Sequence, residues 1–445
     1  MNRRVLILLI WFPLILLLVE ALFSYPIDGY NVTGIRRLER LSLVMEGQLR
    51  GTKPPYGGQR SISDIKLNLQ NARGDSLAVL PPADPEFQKQ VEALFPNRHE
   101  SYSLAALAIT PGQKLRFAGR QAERQFSPGS VGKLAIAAGL FAELQRLFPE
   151  FTEQRRLLLR TRTVTADRWV IPNHHQVPVY NRENQAFVSR AVKVGDTFTL
   201  YEWVDHMLSA SSNAAASVVW KEAMLLRKFG GNYPPSAEQE QQFFDKTPKD
   251  SLRMLAVAVV NDPLRAAGIG ENEFKLGSFF TATGKKIVPG ERSTATPLGF
   301  LKYLIALERG KLVDEWSSLE IKRLLYMTAR RIRYAAAPAL DSAAVYYKSG
   351  SLYRCKPEEG YECGQYRGNA ENVMNSVAIV EHPSGRTYLV GLMSNVLKKN
   401  SAVEHQTIAT YLDRIIRKLE KKEEIKMEEI KKVTPAAEDS TETEE

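Results

Sequence analysis

The chain has 445 residues, of which 44% are hydrophobic, and this is ample for a large core in one big domain or two smaller ones. Its formal net charge is +10, which would suit an anionic partner. The basic residues are scattered, however, and no zinc-finger or RRM signature accompanies them, so we predict a solvated basic surface and no nucleic-acid partner.

The N-terminus predicts export. Arg3 and Arg4 precede an apolar run over residues 5–19, which is typical of a secretory signal. Residues 1–23 are either a cleaved signal peptide or a retained anchor, with membrane contact through residues 5–23 in the second case. Both alternatives place the remainder in the periplasm or on the outer face of the inner membrane.

The first predicted domain elements follow a polar stretch. Residues 24–83 contain Pro, Gly and Arg without clear periodicity, and we interpret them as an extension or linker. The main domain is predicted over residues 84–420. It begins with helical spacing at 87–95 and continues with a hairpin of strands at 103–109 and 115–119.

The middle of the chain is mostly helical in pattern. An apolar helix over 134–147 precedes a long polar connection, 152–198, which we predict to be an insertion. The insertion contains the adjacent residues His174 and His175. The side chains of adjacent residues usually point apart, so we interpret both as exposed loop residues and not as metal ligands. Further helices and strands follow the insertion. The helices are predicted at 201–208, 214–226, 297–309, 315–328 and 403–419, and the strands at 343–348, 375–381 and 388–394.

This order predicts an α+β fold, with a five-stranded antiparallel sheet flanked by helices and an all-helical lobe. Residues 421–445 are of low complexity and highly charged, so we predict a disordered tail. The two cysteines, Cys355 and Cys363, lie close together in one loop. In an oxidising compartment they predict a local disulfide, with two free thiols as the alternative. No histidine lies near them, so we predict no metal site.

One short motif predicts a nucleophile. A serine hydroxyl is weakly nucleophilic at neutral pH and needs a base and oxyanion donors. In Ser130-Val131-Gly132-Lys133, residues three apart are neighbours on the first turn of a helix. A desolvated lysine among other cations can lose its proton. We therefore predict Ser130 as nucleophile and Lys133 as its base, although a capping serine before a surface lysine would give the same short pattern.

Two further motifs would complete such a site. In Ser211-Ser212-Asn213, we predict that Ser211 relays a proton to the leaving group and that Asn213 binds a substrate amide. Lys348-Ser349-Gly350 lies at the end of a predicted strand. Its backbone can pair with a peptide-like substrate while Lys348 attracts a carboxylate.

Three backbone roles are predicted near these motifs. Gly350 is expected to let the ligand approach the main chain closely. The amide of Ser130 is expected to be one oxyanion donor. The second is the amide of Leu352 or of its neighbour Ser351.

S-x-x-K, S-x-N and K-[ST]-G in this order are the signature of class A β-lactamases and penicillin-binding proteins. The chain resembles the class A branch of these penicillin-recognising serine hydrolases from about residue 84 to 420. Segments 289–297, 377–380 and 389–394 are similar to family segments in their expected places. The resemblance implies a site at the seam of two lobes, no cofactor, and a β-lactam or a peptidoglycan-peptide-like small molecule as partner.

The chain departs from the family where a class A enzyme carries the glutamate that activates the deacylating water. Residues 274–290 contain no Asp or Glu. Phe280 stands at the glutamate position and Gly284 at that of a family asparagine. Ser278 and Ser293 replace the usual Arg–Asp pair at the loop's neck. Three acidic residues just outside are interpreted as surface charges: Glu271, Glu273 and Glu291.

Three hypotheses remain from the sequence. The first is an envelope serine acyl-transfer enzyme that is acylated at Ser130 by a β-lactam or a D-Ala–D-Ala-like peptide, with slow or lysine-assisted turnover. The second is a working β-lactamase with a rebuilt deacylation loop. The third is a non-catalytic envelope module that binds peptidoglycan fragments or a protein.

Overall fold

The computed structural model describes residues 28–172, 175–329 and 331–433. The predicted signal or anchor and His174 lie outside these ranges. Among the described residues, no helix is both long enough and apolar enough to span a membrane.

A five-stranded antiparallel sheet with the order β2-β1-β11-β10-β9 forms the centre of the fold. This confirms the predicted α+β class. The two hairpin strands therefore pair with the last three strands of the domain. The sheet strands are β1 (Ser103–Ala108), β2 (Arg116–Arg120), β9 (Ala344–Arg354), β10 (Glu371–Glu381) and β11 (Thr387–Asn395), and the short strands between them are β3 (Thr163–Thr165), β4 (Gln176–Tyr180), β5 (Phe187–Ala191), β6 (Thr197–Thr199), β7 (Phe274–Lys275) and β8 (Thr294–Ala295).

Each face of the sheet is covered by helices, which is why the strands are apolar on both sides. In β1, Leu104 belongs to a cluster with the N-terminal and C-terminal helices of the domain, whereas Leu107 faces the helical lobe. This alternation follows from the period of two along a strand. The helices are α1 (Gly29–Thr33), α2 (Arg36–Met45), α3 (Ala72–Ser76), α4 (Pro85–Glu92), α5 (Lys133–Leu147), α6 (Thr152–Thr161), α7 (Leu200–Leu208), α8 (Asn213–Phe229), α9 (Ala237–Lys246), α10 (Lys249–Ala266), α11 (Ala282–Ile287), α12 (Pro297–Glu308), α13 (Glu315–Tyr326) and α14 (Ala402–Val433).

Strand β9 is longer than the sequence predicts. Its pairing with β10 runs from Ala344↔Glu381 to Arg354↔Glu371, so Lys348-Ser349-Gly350 lies inside the strand and not at its end. Helix α14 also passes the boundary predicted at residue 420. Its first turn beyond that point contacts the β1–β2 hairpin, because Glu423 binds Arg116 at 2.7 Å.

The described part of the predicted extension, residues 28–83, packs against the domain. Ile35 and Leu38 are buried in the same core as helix α5. A buried ion network anchors the extension to the domain at a second place. There the backbone amide of Asn68 donates to Glu308 at 2.7 Å, and its side-chain amide donates to Glu381 at 2.6 Å. The sequence does not reveal this packing, because the helices of the segment are short and the residues that it contacts lie far away in the sequence.

Candidate active site

Ser130 lies in a 3₁₀ turn, Gly129–Gly132, and Lys133 is the first residue of helix α5. The sequence predicts both residues on the first turn of the α-helix. The 3₁₀ turn serves the geometry better, because side chains three residues apart eclipse one another in it. Lys133 Nζ accordingly lies 2.9 Å from Ser130 Oγ.

Lys133 is fully buried, and its amine has two more oxygen neighbours. Nζ donates to the carbonyl of Ser211 at 2.9 Å and to Asn213 Oδ1 at 2.7 Å. Burial lowers the pKa of Lys133 well below its usual value, and the charge of Lys348 lowers it further. A neutral amine here can keep both of these donors engaged while its lone pair faces the Ser130 hydroxyl.

Ser211 links the two lysines. Its hydroxyl accepts a hydrogen bond from Lys348 Nζ at 2.9 Å, while its carbonyl accepts from Lys133. Its φ of 60° lies in the left-handed region, which is uncommon for a serine. The next residue, Ser212, is buried and caps helix α8 through the amide of Ala215. The middle serine of this motif thus has a clear structural role.

Lys348 and Gly350 lie on the part of β9 that faces the Ser130 turn. Burial lowers the pKa of Lys348 to about 7, with a smaller contribution from the charge of Arg333. A Cβ at Gly350 would come within 2.7 Å of the Pro128 carbonyl and 3.0 Å of the Ser130 amide. Gly350 is therefore required by the close approach of the Ser130 turn itself, whereas the sequence reasoning assigned that requirement to a ligand.

A two-lobed cleft surrounds Ser130. The loop lobe has a volume of about 630 Å³ and is bounded by the loop after β7, including Phe280. The hairpin lobe has a volume of about 570 Å³ and is bounded by the β4–β5 hairpin and by Lys348 and Ser349. Ser130, His175 and Ser351 line both lobes. The described residues contain no cluster of three or more His, Cys, Asp or Glu side chains that could hold a metal ion.

The two candidates for the second oxyanion donor differ in position. The amide nitrogen of Ser351 lies close to the Ser130 turn, since a Cβ built on Gly129 would come within 3.0 Å of it. Leu352 lines the loop lobe but not the hairpin lobe. The geometry thus favours Ser351 over Leu352 as the partner of the Ser130 amide.

The connection between β9 and β10 carries the predicted disulfide. Cys355 and Cys363 are bonded, with their Cα atoms 5.9 Å apart, which confirms the pairing. The same connection places Gln365 and Tyr366 against both lobes of the cleft. The disulfide therefore restrains a loop that borders the candidate site.

Comparison with known proteins shows what this fold is similar to. A model of the β-lactamase enzyme family matches residues 245–416, a range that includes Lys348-Ser349-Gly350. The TLA-3 extended-spectrum β-lactamase has a similar fold, with a TM-score of 0.50 at 12% identity over 75% of this chain and 98% of that chain. The chain has a β-lactamase-like fold.

Two other solved structures are similar to this β-lactamase-like domain at lower scores. A β-lactamase from Sphaerobacter thermophilus DSM 20745 is 15% identical over 74% of this chain and 95% of that chain, with a TM-score of 0.45. PBP-A is 15% identical over 76% of this chain and 100% of that chain, with a TM-score of 0.48. A search of curated proteins finds no significant match.

The loop after β7 places a phenyl ring beside Lys133, at the position where the resemblance to class A enzymes implies a carboxylate. The ring centroid of Phe280 lies 4.4 Å from Lys133 Nζ. The ring offers the amine no ion pair and no proton acceptor. Its neighbour Phe279 fixes the loop by stacking on Trp220 at 4.2 Å and contacting Trp169 at 5.3 Å.

The rest of the loop matches this replacement. A side chain at Gly284 would come within 2.9 Å of the Thr281 hydroxyl and 3.0 Å of Phe279 Cβ, so the asparagine that the resemblance implies at this position would not fit. At the neck, Ser293 Oγ accepts a hydrogen bond from the amide of Gly277 at 3.0 Å, and the ion pair of Lys275 with Glu291 at 3.0 Å joins the same two arms of the loop. Ser278 lines the loop lobe.

Two residues of the site in this β-lactamase-like domain were missed from the sequence. The buried Arg333 donates to the Gly350 carbonyl at 2.7 Å, and its guanidinium lies 5.0 Å from the ring of Tyr366. It belongs to a short arginine-rich segment in which nothing marks one side chain as inward. The amide of Asn375 holds the turn before Ser130, donating to the carbonyls of Ser127 and Pro128 at 2.9 Å each. A polar residue within an otherwise apolar strand was a signal in the sequence that could have indicated this role of Asn375.

Proposed function

We propose that this protein is an exported serine acyl-transfer enzyme that forms an acyl-enzyme on Ser130 with β-lactams or D-Ala–D-Ala-like peptides and releases it slowly. One observation carries the proposal: the buried amine of Lys133, with a lowered pKa, lies 2.9 Å from Ser130 Oγ. Export rests on the pattern of residues 3–23 in the sequence.

Acylation follows from the contacts around these side chains. The Ser130 hydroxyl gives its proton to Lys133 Nζ as Oγ attacks the carbonyl carbon, and the amides of Ser130 and Ser351 stabilise the oxyanion. The ester forms when the carbon–nitrogen bond breaks. The leaving nitrogen takes a proton from the Ser211 hydroxyl, which is replenished from Lys348 Nζ at 2.9 Å. Lys348 also attracts the substrate carboxylate.

Slow release of the acyl group is supported by the ion pairs that engage carboxylates at the cleft. Two of them, Glu291 and Glu371, line the loop lobe. Glu291 is bound to Lys275 at 3.0 Å and Glu371 to Arg354 at 3.0 Å. A general base for water must be within hydrogen-bond reach of its proton and free to accept it. A working β-lactamase would need Glu291 to leave Lys275, so we rank that alternative second.

Intact mass and colour together test the proposal. After the full chain is mixed with a chromogenic cephalosporin, we expect a persistent adduct that Ser130→Ala does not form. Steady colour production by the wild type would favour the β-lactamase alternative. If neither adduct nor turnover occurs, acylation by β-lactams is excluded and the non-catalytic binding module remains.

The Phe280 ring provides a second prediction. We expect Phe280→Glu to shorten the lifetime of the adduct by about tenfold or more, because general bases typically contribute about 10²–10⁴-fold and this one would be imperfectly placed. The decay of the adduct mass after removal of excess β-lactam measures this. Phe280→Gln is the matched control, since it opens the same space without a base. Equal adduct lifetimes in the two variants would contradict the role assigned to the ring.

A further inference from the structure

Helix α2 lies outside the cleft, yet it contacts three of the elements that form the cleft walls. None of its residues, Arg36–Met45, is among those that line either lobe. It belongs to the segment 24–83, for which the sequence predicts a linker. Several of its contacts reach elements that border the hairpin lobe, where Ser211 and Lys348 lie.

Arg37 joins two of these walls. Its guanidinium binds Asp205 in a bidentate pair, with both nitrogen–oxygen distances at 2.6 Å, and it also donates to the carbonyl of Met327. The side chain of Arg37 is 9% exposed and that of Asp205 is 0% exposed. A bidentate arginine pair fixes both distance and orientation, and burial protects it from screening by salt.

Both partners of Arg37 lead directly into the cleft. Asp205 accepts through its carbonyl from the amide of Ser209 at 2.7 Å, at the end of α7, and residues 208–211 line the hairpin lobe. Met327 is followed by Thr328 and Ala329, which line the same lobe. One guanidinium therefore links the end of α7, which leads to Ser211, with the segment that continues into Thr328 and Ala329.

The same helix also holds the third wall. Glu39 binds Arg182 of the β4–β5 hairpin at 2.6 Å. The guanidinium of Arg40 lies 4.1 Å from the ring centroid of Phe187, and Phe187 lines the hairpin lobe. The β4–β5 hairpin, which borders the cleft, is thus in contact with α2 through these two side chains.

We propose that helix α2 is a positioning element for the hairpin lobe and that Arg37 is its central positioning residue, holding Ser211 in register with Lys133 and Lys348. The inference rests on the proposed acylation at Ser130. Misplacing a reacting group by about 1 Å can cost about 10²-fold in rate. Loss of the Arg37 tie therefore slows acylation although Arg37 touches no substrate.

The test compares two arginines of the same helix. Arg36 also forms a bidentate pair with α7, to Glu202 at 2.7 and 3.0 Å, but at the end of α7 remote from Ser211. We expect Arg37→Met to lower the second-order rate constant of adduct formation by about 10- to 100-fold, and Arg36→Met to lower it less than about threefold. Thermal unfolding of both variants establishes that they are folded.

Two further measurements separate positioning from stability and from the proposed function. Arg37→Met with Asp205→Asn removes the unpaired buried carboxylate, so stability should recover in part while acylation stays slow. Hydrogen exchange of residues 208–213 and 327–333 should rise in Arg37→Met and not in Arg36→Met, even if the wild type forms no adduct. Equal exchange in these segments and equal acylation rates in the two single variants would overturn the proposal.

Discussion

Lys133→Ala should slow the acylation of Ser130 by about 10²–10⁴-fold, the usual contribution of a general base. The amine is the group that can take the Ser130 proton at 2.9 Å, and burial without an acidic partner keeps its pKa low. The rate of adduct formation, followed by intact mass at several β-lactam concentrations, measures the effect. Asn213 Oδ1 and the Ser211 carbonyl lose a donor in this variant, so a stability loss of about 1–3 kcal/mol should accompany it.

Lys133→Arg separates a base from a mere positive charge. Arginine keeps its proton in proteins and cannot accept another. If Lys133 acts as the base, this variant is slow as well. An acylation rate near that of the wild type in Lys133→Arg would remove Lys133 from the role of base and assign it one of electrostatic attraction.

Lys322→Met should lower the free energy of unfolding by about 3–5 kcal/mol, because it leaves buried carboxylates without their counter-charge. Lys322 Nζ binds Glu308 at 2.6 Å and Glu381 at 2.7 Å, and the side chains of Lys322 and Glu308 are both 0% exposed. Equilibrium unfolding in denaturant measures the change. The loss should include the 56–70 segment, since Arg60 and Asn68 bind the same Glu381.

Lys311→Met is the matched control for this prediction. Its ion pair with Asp75 has side chains that are 58% and 67% exposed, and such pairs contribute at most about 1 kcal/mol. A second variant, Lys322→Met with Glu308→Gln, should recover part of the loss by removing one stranded charge. Similar unfolding free energies for Lys322→Met and Lys311→Met would contradict the role of the buried network.

The arrangement of the sheet and of the three motifs could be predicted from the sequence. Short-range patterns carried this information: the spacing of Ser130 and Lys133, apolar runs at strand length, and a Gly in Lys348-Ser349-Gly350. The presence of Phe280 at the position of the class A glutamate could also be predicted, because it follows from aligning the loop sequence alone. The structure adds that the ring occupies the space beside Lys133 Nζ.

Features that depend on distant partners could not be predicted. Nothing local in residues 24–83 shows that Arg37 meets Asp205, a residue 168 positions away. Arg333 carries no pattern that distinguishes it from its neighbours. The choice of Ser351 over Leu352 as oxyanion donor depends on the approach of β9 to the Ser130 turn, which is a property of packing and not of sequence.

The packing of residues 28–83 also has a consequence for the order in which the protein can fold. Asn68 meets its partner Glu381 across 313 residues, and Arg36 meets Glu202 across 166. Contacts of such sequence separation form late, since a long loop must close first. Residues 28–83 are made before these partners and are thus among the last to reach their native place. Until β10 has been made, the apolar side chains of Ile35, Leu38 and Leu69 lack their complete core, and the nascent chain exposes them to whatever binds unfolded protein.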